Sequence, residues 1–122
     1  MIEIDRMALV FQPKKAFIDW LKSITEGGFE EGDSLSEMTM ITEPTVVLIP
    51  IIEDDEAFNE YVLTHYLGWL TYELSSWSTN EDEWPEGRDL EAFQNYFDIN
   101  VHSLVIDNVN DNYMMQENTT IQ

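Results

Sequence analysis

The sequence predicts an α+β fold, a small sheet of about three strands packed with one long central helix and two or three shorter ones. Three observations carry that prediction. Apolar runs rich in β-branched residues occur at 2–11, 45–51 and 99–106, with the length and composition of strands. A stretch from Glu53 to Trp77 carries apolar residues at helical spacing. Strands and helices mix in the order β-α-β-α-α-β without an internal repeat, as in one layered domain. We expect that domain to span residues 1–107 and a polar, Asn-rich tail to follow at 108–122.

The first strand begins with alternation, Ile2 and Ile4 on one face and Glu3 and Asp5 on the other. From Met7 to Val10 it becomes apolar on both faces, as in a strand entering the sheet interior. Arg6 lies within it, and an arginine in such a strand calls for a carboxylate partner.

Pro13 is expected to start the first helix, at the position where its missing N–H costs nothing. Phe17, Trp20, Leu21 and Ile24 give the helix one apolar face, and Gly27-Gly28 ends it. Lys14 and Lys15 fall in its first turn, where positive charge opposes the helix dipole. Free N–H groups and two ammoniums converging there make a candidate anion site.

Residues 29–34 are acidic and glycine-punctuated, a loop. Ser34 and Glu37 match a capping box, which predicts a helical turn to about Met40, and Pro44 stops it. Residues 45–51, TVVLIPI, are apolar on both faces, which predicts a central strand covered above and below, with Pro50 at its end.

The long helix opens with an acidic cluster that suits a helix N-terminus, with Asp54 or Asp55 as the cap. Leu63, Leu67, Leu70, Leu74 and Trp77 follow at steps of four and three. A second row, Phe58, Val62, Tyr66 and Trp69, lies beside the first. Two rows are wider than a surface helix needs, so we expect packing on more than one side. After a polar loop at 78–88, Leu90, Phe93 and Phe97 space a further helix of about two turns from Asp89. In the last strand Ile99, Val101 and Val105 share one face, and His102, Leu104 and Ile106 the other.

Charge is the abnormal quantity. Twenty-five acidic residues against five basic ones give −20 over 122 residues, a surface that repels nucleic acid and anionic membranes. A basic protein partner, bound cations, a salty habitat or simple solubility are compatible with it. The chain has no cysteine, which excludes disulfides and thiolate chemistry. The start, MIEIDR, lacks the pattern of a signal peptide, and Val46–Ile52 is too short to span a bilayer, so a soluble cytoplasmic protein is expected.

Glu73 is the most telling single residue. It sits between Leu70 and Leu74, one turn from Trp69 and Trp77, on a helix expected to be widely buried. A buried carboxylate without a partner has a raised pKa; paired with Arg88 or Arg6 it would be structural. His65 lies two turns earlier near the same side. A histidine and an acid eight residues apart do not form a metal pair, and His65 and His102 have no recognisable triad partners, which favours packing or surface roles. The clusters Glu53–Glu56 and Glu81–Glu83 read as solvated acidic faces, and Asp107–Asp111 lacks the glycine and glutamate of an EF-hand. No glycine-rich phosphate loop is present. No cofactor, metal or catalytic motif is predicted.

PKKAFIDWL at 13–21, the spaced Glu73, Leu74 and Trp77, WPEGR at 84–88, FQNYF at 93–97 and HSLVID at 102–107 together resemble a family of small acidic cytoplasmic bacterial proteins without an assigned function. The resemblance spans roughly residues 6–107, and its motifs are mostly aromatic and apolar, so they mark core packing. It brings no catalytic residue. It implies that Trp84 and Arg88 anchor a turn in which Arg88 reaches a carboxylate such as Glu73.

Two functions of different class follow as expectations. The first is a non-enzymatic interaction module whose acidic surface engages a basic protein, in its extreme form a mimic of nucleic-acid charge. The second is a small-molecule site walled by Trp69, Trp77, Trp84 and Tyr66, with Glu73, His65 and Arg88 as its polar groups.

Overall fold

The computed structural model describes residues 1–24 and 43–109. The expected helical turn at 34–40, the Gly27-Gly28 stop and the tail beyond 109 lie outside the described residues.

Three antiparallel strands form the main sheet in the order β3-β2-β4: β2 is Met7–Pro13, β3 Thr45–Ile49 and β4 Phe97–His102. Apolarity on both faces correctly marks β2 as the interior strand, since it is the one paired on both edges. Short strands β1 (Ile2–Glu3) and β5 (Ile106–Asp107) pair with each other, antiparallel. Their ladder prolongs the β2–β4 pairing after a break: four residues separate Glu3 from Ala8, while three separate His102 from Ile106. The extra residue puts the two ladders out of step by one, as a bulge does. The single strand expected at 99–106 is therefore two pieces. Arg6 falls in this break, exposed, and its Nη1 donates to the Asp5 carbonyl at 2.6 Å rather than to a carboxylate.

Because side chains alternate along a strand, one face of the sheet collects Met7, Leu9 and Phe11, Ile49, and Phe97. Three helices cover that face: α1 (Lys15–Ile24), α2 (Asp55–Trp77) and α3 (Leu90–Tyr96). Phe17, Trp20 and Leu21 of α1, Leu70 and Leu74 of α2, and Phe93 of α3 complete the core. Phe11 is its centre, with ring centroids 5.3 Å from Trp69, 5.4 Å from Phe93 and 6.2 Å from Phe97.

Three sequence expectations are corrected. Pro13 ends β2 instead of opening α1, and the Lys14 carbonyl accepts from the N–H groups of Phe17 and Ile18, so Lys14 occupies the cap position. The strand at 45–49 is an edge of the described sheet, not a covered centre: Val46 is 59% exposed and Leu48 44%. Phe97 belongs to β4; its N–H closes α3 on the Phe93 carbonyl, and the strand starts without an intervening loop.

The long helix also packs differently. Asp54 is its N-cap, with the Asp54 carboxylate accepting from the Ala57 N–H at 2.8 Å. The row containing Phe58, Val62, Tyr66 and Trp69, with Leu70, Glu73 and Leu74, faces the core. Leu63 and Leu67 are 59% and 50% exposed, and Trp77 is exposed too, so α2 is buried along one side. No described helix is long and apolar enough to cross a membrane.

Candidate functional site

Glu73 takes a polar group into the core side of α2 because its neighbours Leu70 and Leu74 fix the helix rotation. Only 8% of it is exposed, and its Oε2 is buried without a hydrogen-bond partner. No cation among the described residues pairs with it. Burial pushes the Glu73 carboxyl above the usual carboxylate range, and the Thr45 hydroxyl beside it offsets part of that rise.

Around this carboxyl the edge of the sheet and the helix leave a cleft of about 400 Å³, lined by Phe11, Thr45, Val46, Val47, Trp69, Tyr72 and Glu73. Strand alternation supplies Phe11 and Val47 from the helix-facing side of the sheet, and α2 supplies the other wall. The Trp69 ring lies 5.3 Å from Phe11, and His65 stacks with it at 5.9 Å with 27° between the rings. Tyr61 continues the row, 4.1 Å from His65, one helical turn back.

Of the residues grouped from sequence, Trp69 and Glu73 meet in this cleft, and His65 stands one ring away from it. Trp84 and Arg88 belong to a different place. They line a hollow with Leu67, Thr71, Glu81 and Glu86, and the Arg88 guanidinium lies over the Trp84 ring at 5.5 Å. Arg88 therefore makes a cation–π contact, and among the described residues it forms no ion pair with Glu73 or any other carboxylate. Trp77 lines neither hollow and is 42% exposed; Tyr66 packs on Phe93 at 6.2 Å.

The loop carrying Trp84 is well anchored. Its indole donates to the Ser78 carbonyl at 2.8 Å, and the Trp20 indole of α1 donates to the Glu83 carbonyl at 2.8 Å. Ser78 Oγ donates to the Glu83 carboxylate, which places one of the expected solvated acids in a structural contact.

Lys14 and Lys15 do not converge. Lys14 Nζ reaches the Gln94 carbonyl at 3.1 Å and the Asp98 carboxylate at 3.8 Å, while Lys15 Nζ pairs with Asp19 at 2.8 Å. Both ammoniums face oxygen acceptors of their own. His102 is exposed on β4, opposite Ala8. Among the described residues no group of three or more histidine, aspartate and glutamate side chains is placed to hold a metal ion.

No family model, curated protein or solved structure matches this chain. The functional reading accordingly rests on the residues themselves. Sequence reasoning missed Phe11, Thr45, Val46, Val47 and Tyr72 as parts of the cleft. Thr45 carried the one available signal, a hydroxyl on the helix-facing register of an otherwise apolar strand.

Proposed function

We propose that this chain is a non-enzymatic interaction module that binds a basic protein through the acidic and apolar face of α2. The observation that carries the reading is a stripe on that helix. Glu56, Glu60, Leu63 and Leu67 follow one another at steps of four, three and four, all exposed. The stripe runs into the hollow edged by Glu81, Trp84 and Glu86. Two exposed leucines between acidic ends match a partner that presents apolar side chains flanked by lysine or arginine.

The surrounding field acts in the same direction. The described acids are exposed almost throughout, and only Asp19 and Asp98 among them stand in ion pairs. A net charge of −20 accelerates encounter with a cationic surface and opposes binding to nucleic acid, so the partner is a basic protein rather than DNA or RNA.

The test is capture from a lysate of the native organism at low salt, followed by stepwise elution with rising salt. A basic protein retained stoichiometrically and released in a narrow salt step supports the module. A diffuse smear of basic proteins, or a partner whose retention ignores salt, contradicts it.

A further inference from the structure

We propose that the cleft between β3 and α2 binds an alkylammonium group, with its charged end at the Glu73 carboxylate and its carbon chain against Phe11, Trp69 and Tyr72. This site lies on a different face of α2 from the Leu63–Leu67 stripe, and it holds or fails independently of the partner-binding reading.

The geometry makes three demands on an occupant, and one chemistry meets them. The carboxylate oxygen Oε2 of Glu73 is buried and lacks a hydrogen-bond donor, so the occupant must donate. An ammonium brings up to three donors together with a compensating charge. The walls are apolar and aromatic, and aromatic faces attract cations while repelling anions. Among the described residues the lining supplies no positive side chain, so an anionic or carboxylate ligand meets repulsion from Glu73 without compensation. A neutral hydrocarbon fills the walls but leaves the buried oxygen unmet. About 400 Å³ falls within the range of small-ligand sites and admits a chain of several carbons. The protein's own negative field concentrates small cations at its surface. The group can arrive on a free amine or as the side chain of a lysine, since both present an ammonium on an apolar stem.

The experiment is an NMR titration of the full chain with n-hexylammonium chloride in about 150 mM salt, where non-specific attraction is screened. Hexan-1-ol serves as the neutral control, and Nα-acetyl-lysine methylamide as the lysine arm. We expect saturable shifts of the Thr45, Val46, Val47, Trp69 and Tyr72 amides, with hexylammonium binding at least tenfold tighter than hexanol. Glu73→Gln, which keeps the shape and removes the charge, should erase that preference. Tyr72→Ala should weaken binding severalfold without unfolding, because Tyr72 is 65% exposed. Lysine binding on a par with hexylammonium assigns the site to a protein side chain, and much weaker lysine binding assigns it to a free amine. Equal affinity for hexanol, shifts unchanged in Glu73→Gln, or no saturation at these amides overturns the proposal. Should Glu73→Gln unfold, the ammonium–alcohol comparison and Tyr72→Ala decide it alone.

Discussion

Trp69 and Phe11 meet with ring centroids 5.3 Å apart and planes tilted by 49°, which fastens the long helix to the central strand one turn from Glu73. The same contact forms one wall of the cleft. Structural and candidate binding roles are therefore joined at Trp69. Replacing it removes core packing and cleft wall together, so it is a poor probe of either alone.

Glu73 gives a pH prediction with a definite sign. Its folded-state pKa lies above the ordinary carboxylate value, through burial first. The folded protein then holds the proton to higher pH than the unfolded chain does. Stability contributed by this group is present below the ordinary carboxylate range and is lost as pH rises toward the raised value. Thr45 of β3 bonds to it, Phe11, Trp69 and Tyr72 line the same cleft, and no described cation pairs with it. Glu73→Gln should therefore be more stable than the parent at pH 8, by about 1 kcal/mol, with the gain shrinking toward pH 4. Urea unfolding of both proteins across that range measures it, and the difference cancels the repulsion common to both. A gain that grows on acidification contradicts the assignment.

The exposed and the buried leucines of α2 should separate sharply on truncation. Leu63→Ala and Leu67→Ala should change stability by no more than about 0.5 kcal/mol, since both side chains are exposed. Leu70→Ala should cost about 2–5 kcal/mol, because Leu70 is fully buried. Denaturant midpoints decide this, and equal losses at Leu63 and Leu70 would mean that the helix is rotated.

The loop after α2 is held by two indole N–H groups, Trp20 to Glu83 and Trp84 to Ser78. Trp20→Phe and Trp84→Phe should each cost about 1–2 kcal/mol, as each leaves a carbonyl without its donor. Trp84→Phe also weakens the Arg88 contact. Amide hydrogen exchange should show faster exchange across residues 78–88 in both variants. Unchanged protection there would show that the indole bonds do not hold the loop.

Mutual repulsion among carboxylates predicts a salt response. At pH 7, raising sodium chloride from about 10 to about 500 mM should raise the Tm by on the order of 5 °C. At pH 4, where many carboxyls are protonated, the rise should shrink. Calorimetry at both pH values checks it.

Much of the fold was legible because its signals are local. Apolarity on both faces marked β2, Asp54 and Asp89 announced helix starts, and a run of helical spacing gave α2 its length. The two rows on α2 predicted packing on more than one side, but the helix is buried along one side only: Leu70 and Leu74 of the first row face inward, and Leu63 and Leu67 do not. The second row packs inward instead of Leu63 and Leu67, with Trp69 on Phe11 and Tyr66 on Phe93 across the core. The edge position of β3 was hidden for a similar reason: TVVLI has the same composition whether its outer face is covered or open. Glu73 stood out through its position between Leu70 and Leu74. Its neighbours Phe11, Thr45 and Val47 come from strands far away in sequence, placed by the register Phe11↔Thr45 and Leu9↔Val47, and periodicity along one segment carries no such information. The expected ion pair with Arg88 did not form: the guanidinium lies over the ring of Trp84, four residues earlier on the same loop.

The most direct test of the central claim compares the parent chain with Leu63→Ser/Leu67→Ser in capture from the same lysate at low salt. Both changes lie on exposed positions and leave the net charge untouched. The account predicts that the double variant stays folded and loses the stoichiometric basic partner at least tenfold. A double variant that retains the same partner, released at the same salt step, would contradict the assignment of the α2 face as the binding surface.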